Sequence, residues 1–169
     1  MAEEQNKEVK AVADESQKGQ FGLQKIYVKD LSFEIPNSPM VFQEEWKPSV
    51  NMDIANSASK ISEDLFEAVL SVTITVTSEE KTMYLIEAQQ AGIFHIAGLP
   101  DEAINKMLAT VCPNILFPFT REIIADLVTR GGFPQLLLAP VNFEALYAQK
   151  EKQQAEEETG KQAQSSMTH

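Results

Sequence analysis

The chain has very little of what enzyme and metal sites are made from. It carries one cysteine and two histidines, His95 and His169, the second being the last residue. Cys112 alone cannot form an internal disulfide, which fits a reducing compartment. One cysteine and one internal histidine cannot complete an ordinary zinc site, so no metal is expected. No Walker or GxGxxG pattern occurs, so no nucleotide cofactor is expected either. No Ser-His-Asp arrangement is legible, and no catalytic residues are assigned. No apolar run approaches the roughly 20 residues of a membrane span. The first 20 residues lack the apolar core of a signal peptide, and the expected location is the cytoplasm. Positive charge is scarce: 14 basic against 25 acidic residues give −11. Nucleic acid is therefore excluded as a partner, because phosphate binding needs clustered Lys and Arg, and basic protein partners are favoured.

What is present is unevenly placed. Residues 30–102 hold 13 acidic side chains and only three basic ones, Lys47, Lys60 and Lys81, which is nearly all of the net charge. Residues 1–20 are rich in Glu, Lys, Gln and Ser without an aromatic, and read as a disordered tail. Residues 151–169 read the same way. The structured domain is expected over 21–150.

Four strands are legible. Residues 21–36 carry Leu23, Ile26, Val28, Leu31, Phe33 and Ile35. Their parity switches between Val28 and Leu31, which predicts a bulge. Beyond it Asp30, Ser32 and Glu34 share one face. Residues 36–48 hold three prolines and form a long connection that crosses the sheet rather than pairing in it. Val50, Met52 and Ile54 alternate as a short second strand. Residues 65–77 alternate Phe66, Ala68, Leu70, Val72, Ile74 and Val76 against polar residues, so one face is buried and one is wet. Residues 82–96 continue the pattern, with Tyr84, Ile86 and Ala88 inward and Met83, Leu85, Glu87 and Gln89 outward. Ala91-Gly92 predicts a bend.

Helices follow. Residues 101–111 form a short helix that Pro113 ends. A long helix spans 118–130, with Pro118 in its first turn and Gly131-Gly132 as its cap. A last helix begins near Val141, with Asn142 as N-cap. The fold class is α+β: a four-stranded antiparallel sheet with a long helix and a shorter C-terminal helix packed on one face. Ile123, Ile124, Leu127 and Val128 exceed what one sheet face needs, so they are expected to form an oligomer interface. Cys112 reads as a buried structural thiol.

Two surfaces remain as binding candidates. The first is the outer sheet face, where Asp30, Glu34 and Glu87 frame Leu85. The second is apolar and rich in loop residues: Met40, Trp46, Val50, Met52, Ile54 and Tyr147.

Four blocks, FGLQKIYVKDLSFEIPNSPMVFQEEWKP, EAQQAGIFHIAGL, CPNILFPFTREII and GGFPQLLLAPVNFEALY, in this order over residues 21–147, closely resemble the SecB family of bacterial protein-export chaperones. The resemblance implies ATP-independent holding of unfolded preproteins and their delivery to the SecA motor. It implies a homotetramer, a dimer of dimers with helices between sheets. It also implies that the basic, zinc-bearing C-terminal tail of SecA docks at Asp30, Glu34, Leu85 and Glu87. A client groove is implied between the crossing loop and the helix connection. The connector GGFPQLLLAP departs from the more usual GTFPQLNLAP, which bears on which client segments bind.

Two other readings stand beside this one. A chaperone of the same type dedicated to one client, such as an antitoxin, is compatible with the same residues. A small thioester hydrolase needs a recessed carboxylate at a helix N-terminus, and the sequence offers only Glu122 beside Arg121.

Overall fold

The computed structural model describes residues 19–165, and side chains as far as residue 157. Four strands, β1 (Gln20–Glu34), β2 (Pro48–Ser62), β3 (Leu65–Ser78) and β4 (Lys81–Ala97), form one antiparallel sheet in the order β1-β4-β3-β2. Three helices follow: α1 (Asp101–Ala109), α2 (Val111–Arg130) and α3 (Phe143–Ser165). The fold class read from the sequence holds, with the helices on one face of the sheet.

Alternation sets that face. Leu70, Val72, Ile74 and Val76 of β3 and Ile86, Phe94 and Ile96 of β4 are all fully buried beneath α2. The predicted bulge lies between Val28 and Asp30, and a second register shift lies between Leu23 and Lys25. Each inserts one residue, so the apolar parity of β1 changes and its oily side stays on the helix face. No bend occurs at Gly92, because β4 runs through to Ala97. A Cβ there would meet Phe94 at 2.8 Å and Leu116 of α2 at 3.0 Å. The glycine is there for close helix approach. Met83, expected outward, is buried beside the register shift where β3 and β4 near their turn.

The helix boundaries differ from the sequence reading. Pro113 does not stop a helix. The chain breaks at Thr110 (φ −124°, ψ −61°), and Pro113 then occupies the first turn of α2, where a missing N–H is harmless. Pro118 lies inside α2 rather than in its first turn. Its ring deprives the Asn114 carbonyl of a helical partner, a loss that burial of Leu116, Phe117, Ile124 and Val128 offsets. Gly132, at φ +84°, supplies the left-handed cap, and Phe133 N–H donates back to Val128. Asn142 caps α3 by accepting from Ala145 N–H at 3.0 Å.

Two further expectations are corrected. α3 has 23 residues against 20 in α2, so the C-terminal helix is not the shorter one, and residues 151–165 are helical rather than tail. Their Glu, Gln, Lys and Ala are strong helix formers, and tail-like composition does not exclude a helix. Of the tail expected over residues 1–20, residues 1–18 lie outside the described residues, and Gln20 already begins β1. β2 is also far longer than the three alternating residues suggest, because Asn and Ser fill its middle and hide the period.

Ile124 and Val128 are fully buried, 0% exposed, against the chain's own sheet, with Ile123 and Leu127 half-buried. The assignment of Ile124 and Val128 to an oligomer interface is therefore overturned. The uncovered apolar surface lies instead on the helix-side face of β1, where Phe21, Leu23, Val28 and Leu31 are 38–46% exposed.

Candidate functional site

Strand register assembles the acidic surface. On the outer face Glu34 stands opposite Leu85, Ser32 opposite Glu87 and Asp30 opposite Gln89. Directly opposed side chains start about 5 Å apart, so Asp30, Glu34, Leu85 and Glu87 share one patch. All four positions predicted from the sequence therefore meet. Glu34, Glu87 and Asp30 are exposed and Leu85 is half-buried. The acidic ladder extends beyond them. Glu87 faces Thr73, and Thr73 faces Asp53 of β2, so one row crosses the whole sheet. Asp53 escapes a sequence reading because the legible part of its strand is three apolar residues and no more.

Partners distinguish these carboxylates from the rest of the face. Glu67, three rungs away on β3, is neutralised: Lys29 Nζ donates to both of its oxygens, at 2.9 and 2.8 Å. The Tyr27 hydroxyl also donates to Glu67. These bonds, that from Lys29 first, hold the Glu67 carboxyl below the usual range, and the same contact pushes Tyr27 up to about 12. Asp30, Glu34 and Glu87 make no ion pair among the described residues. Negative potential is therefore concentrated at one end of the sheet, where nothing among those residues offsets it.

The apolar surface divides into parts. Val50, Met52 and Ile54 lie opposite Val76, Ile74 and Val72, which puts them on the helix side of the β2 edge. α2 does not reach them, and Val50 and Met52 stay exposed. Ile54 and Tyr147 meet in a cavity of about 760 Å³ between β2, α1 and α3, with Leu108, Phe143 and Leu146. Trp46 lies at the other end, its ring 5.8 Å from that of Phe133 on the connector after α2. Phe133 also touches Phe42 and Tyr84, with centroids 5.3 and 4.8 Å away. Phe42, Phe133 and the exposed connector residue Leu137 were not among the expected residues, though the Pro-bounded run FPQLLLAP was the signal that could have found them. Met40 is 65% exposed and lines a separate hollow of about 280 Å³ with Asn37, Val41, Glu44 and Lys81.

No nucleophile competes with a binding role among the described residues. Cys112 is fully enclosed, and burial pushes its thiol up to about 12, which leaves it unreactive. Glu122 is exposed in mid-helix rather than recessed at a helix N-terminus. Among the described residues no helix is long and apolar enough to cross a membrane.

Comparison with known proteins bears on these surfaces. The family profile described as SecB, preprotein translocase subunit SecB, matches residues 14–154. The chain is similar to the protein-export protein SecB of Nitrosococcus oceani, 54% identical over 83% of this chain and 87% of that one. It is 51% identical to that of Marinobacter nauticus over 100% of both chains. The counterpart in Methylococcus capsulatus is 56% identical over 78% of this chain and 84% of its own. Among solved structures, a Mycobacterium tuberculosis SecB-like chaperone in complex with an antitoxin peptide superposes with a TM-score of 0.57. It is 18% identical and covers 72% of this chain and 91% of that one, so it supports the fold alone.

Proposed function

The chain belongs to the SecB family of protein-export chaperones, and from that premise we propose that its two surfaces divide the work of export. The outer acidic face docks the basic, zinc-bearing C-terminal tail of SecA through Asp30, Glu34, Leu85 and Glu87. The apolar strip of Trp46, Val50, Met52, Ile54 and Tyr147 holds unfolded preprotein in the cytoplasm, with Met40 at its margin. Holding needs no ATP and no bond chemistry, and a chaperone family is not an enzyme class. The working unit is a homotetramer, a dimer of dimers.

The observation that carries the docking role is the contrast between Glu67, already paired with Lys29, and the unpaired trio Asp30, Glu34 and Glu87. A cationic partner gains most where carboxylates lack an internal counter-charge. The preprotein role is supported by edge residues that are apolar, exposed and not shaped into one deep pocket, as a promiscuous binder requires. A chaperone dedicated to one client is not favoured, because the relatives at half identity or more carry the protein-export name.

Calorimetric titration of the SecA C-terminal tail tests the reading. Each exposed charge pair contributes about 0.2–1 kcal/mol, so Asp30→Ala or Glu34→Ala weakens binding modestly and Glu87→Lys more. Added salt weakens it as well. Equal affinity for the wild type and a folded Glu87→Lys variant would overturn the assignment.

A further inference from the structure

The turn between β3 and β4 is built from unsuitable residues. Ser78 pairs with Lys81, which leaves Glu79-Glu80 as a two-residue hairpin loop. Both have left-handed backbones, at φ 49° and 69°. Such loops take Asn-Gly or Asp-Gly, since a side-chain Cβ crowds the backbone there. Two glutamates at these positions store strain, and observed strain of this kind calls for a compensating role.

The hairpin is where the crossing loop is fastened. Lys47 Nζ lies 3.4 Å from Glu79 and 2.8 Å from Glu45. Lys81 Nζ lies 2.5 Å from Glu44. Ser78 Oγ accepts from Lys47 N–H at 3.0 Å and donates to the Glu45 carbonyl at 2.8 Å. Asn37 Nδ2 donates to the Thr82 carbonyl at 2.9 Å. Beneath the loop lie the buried Val41 and the ring cluster of Phe42, Trp46, Phe133 and Tyr84. The Glu44–Lys81 pair stands at the lining of the 280 Å³ hollow that Met40 and Val41 share. The ion pairs are largely exposed, so each is weak and easily screened.

We propose that residues 36–47 are a strap, latched to the β3–β4 hairpin by the Glu44–Lys81 and Lys47–Glu79 pairs, whose release opens the hollow to apolar side chains of an unfolded client. The inference rests on the preprotein-holding role above and adds a gate to it. A glutamate at position 79 is then kept despite its backbone because its carboxylate closes the strap. Weak latches suit such a gate, since a client side chain that replaces Val41 in the hollow opens the strap without breaking any deep contact.

Trp46 is the only tryptophan, so its emission reads the strap directly. In Glu44→Gln/Glu79→Gln the emission moves to longer wavelength, and amide exchange over residues 36–47 quickens about two- to ten-fold, the range that two exposed ion pairs can set. Affinity for an unfolded preprotein rises by a similar factor. Salt at about 1 M, where the screening length is about 3 Å, loosens the wild-type strap and leaves the variant unchanged. Glu79→Gly removes backbone strain and latch together, so it keeps or raises the melting temperature while still loosening the strap, a divergence that a purely structural turn does not give. Unchanged emission and exchange in the double variant overturn the latch. A loosened strap with equal or lower client affinity overturns the gate. A wild type that binds no unfolded client refutes the holding role instead, and the emission arm reads the latch independently of that result.

Discussion

Glu67 and Glu87 are both outward-facing glutamates in neighbouring strands, and the side chains beside them separate their roles. Lys29 and Tyr27 hold the Glu67 carboxyl below its ordinary value. A depressed folded value means that the stabilisation is present above the unfolded value, about 4.3, and fades as pH falls through the lower folded one. Glu67→Gln is therefore expected to lower stability at neutral pH by at most about 1 kcal/mol, since Lys29 is half exposed. Thermal melts should show the gap between variant and wild type closing below about pH 4, where the carboxyl of the wild type takes up its proton. A gap of constant size from neutral pH down to about pH 3 would mean that Glu67 acts through shape, not charge. Sequence alone could not tell these two glutamates apart. Lys29 lies 38 residues from Glu67 and meets it only because the β1 bulge turns Lys29 outward.

At the scale of elements, β2 and α2 mislead in opposite ways. β2 looks short in the sequence because polar residues fill it, yet it pairs with β3 from Pro48 to Ser62 and ends the sheet as an edge. Its Val50, Met52 and Ile54 form the apolar lip between Trp46 and the Ile54–Tyr147 cavity. Met52→Asp with Ile54→Asp is expected to weaken binding of unfolded preprotein about ten-fold or more, since two buried contacts of about 1.5 kcal/mol or above are lost. SecA-tail affinity should stay at the wild-type value, because these residues point away from the acidic face. Equal client affinity in an intact double variant would move the groove elsewhere. α2 looks short because each of its two prolines resembles a helix boundary. Its tertiary contacts carry the helix past both: Cys112, Leu116, Ile124 and Val128 are wholly buried. Packing outweighs a single lost hydrogen bond in a helix of 20 residues.

In the whole molecule, one face of the sheet is only partly roofed. α2 covers β3 and β4, α1 reaches β2, and the helix side of β1 stays open at Phe21, Leu23, Val28 and Leu31. Apolar surface of that extent on an edge strand is the mark of a protein contact. It, rather than Ile124 and Val128, supports the proposed tetramer. Phe21→Asp with Leu31→Asp is expected to reduce the assembly to smaller species in light scattering at micromolar concentration while each chain keeps its circular dichroism. Ile123→Asp should leave the assembly size unchanged if β1 carries the contact. A Phe21/Leu31 variant that keeps the wild-type mass would remove β1 from the interface.

The amino-acid sequence by itself determined the period of β3 and β4, the parity change in β1, the Asn142 cap and the family, because each is written in neighbouring residues or in a long ordered pattern. It also placed Asp30, Glu34, Leu85 and Glu87 on outward faces, since a strand alternates with period two. Tertiary structure alone decided which of those faces meet, which carboxylates keep an internal partner, and which apolar residues stay uncovered. Those outcomes depend on register across the sheet and on where α2 comes to rest. Ile124 and Leu127 read alike along the helix, and only the sheet beneath them makes one core and leaves the other half exposed.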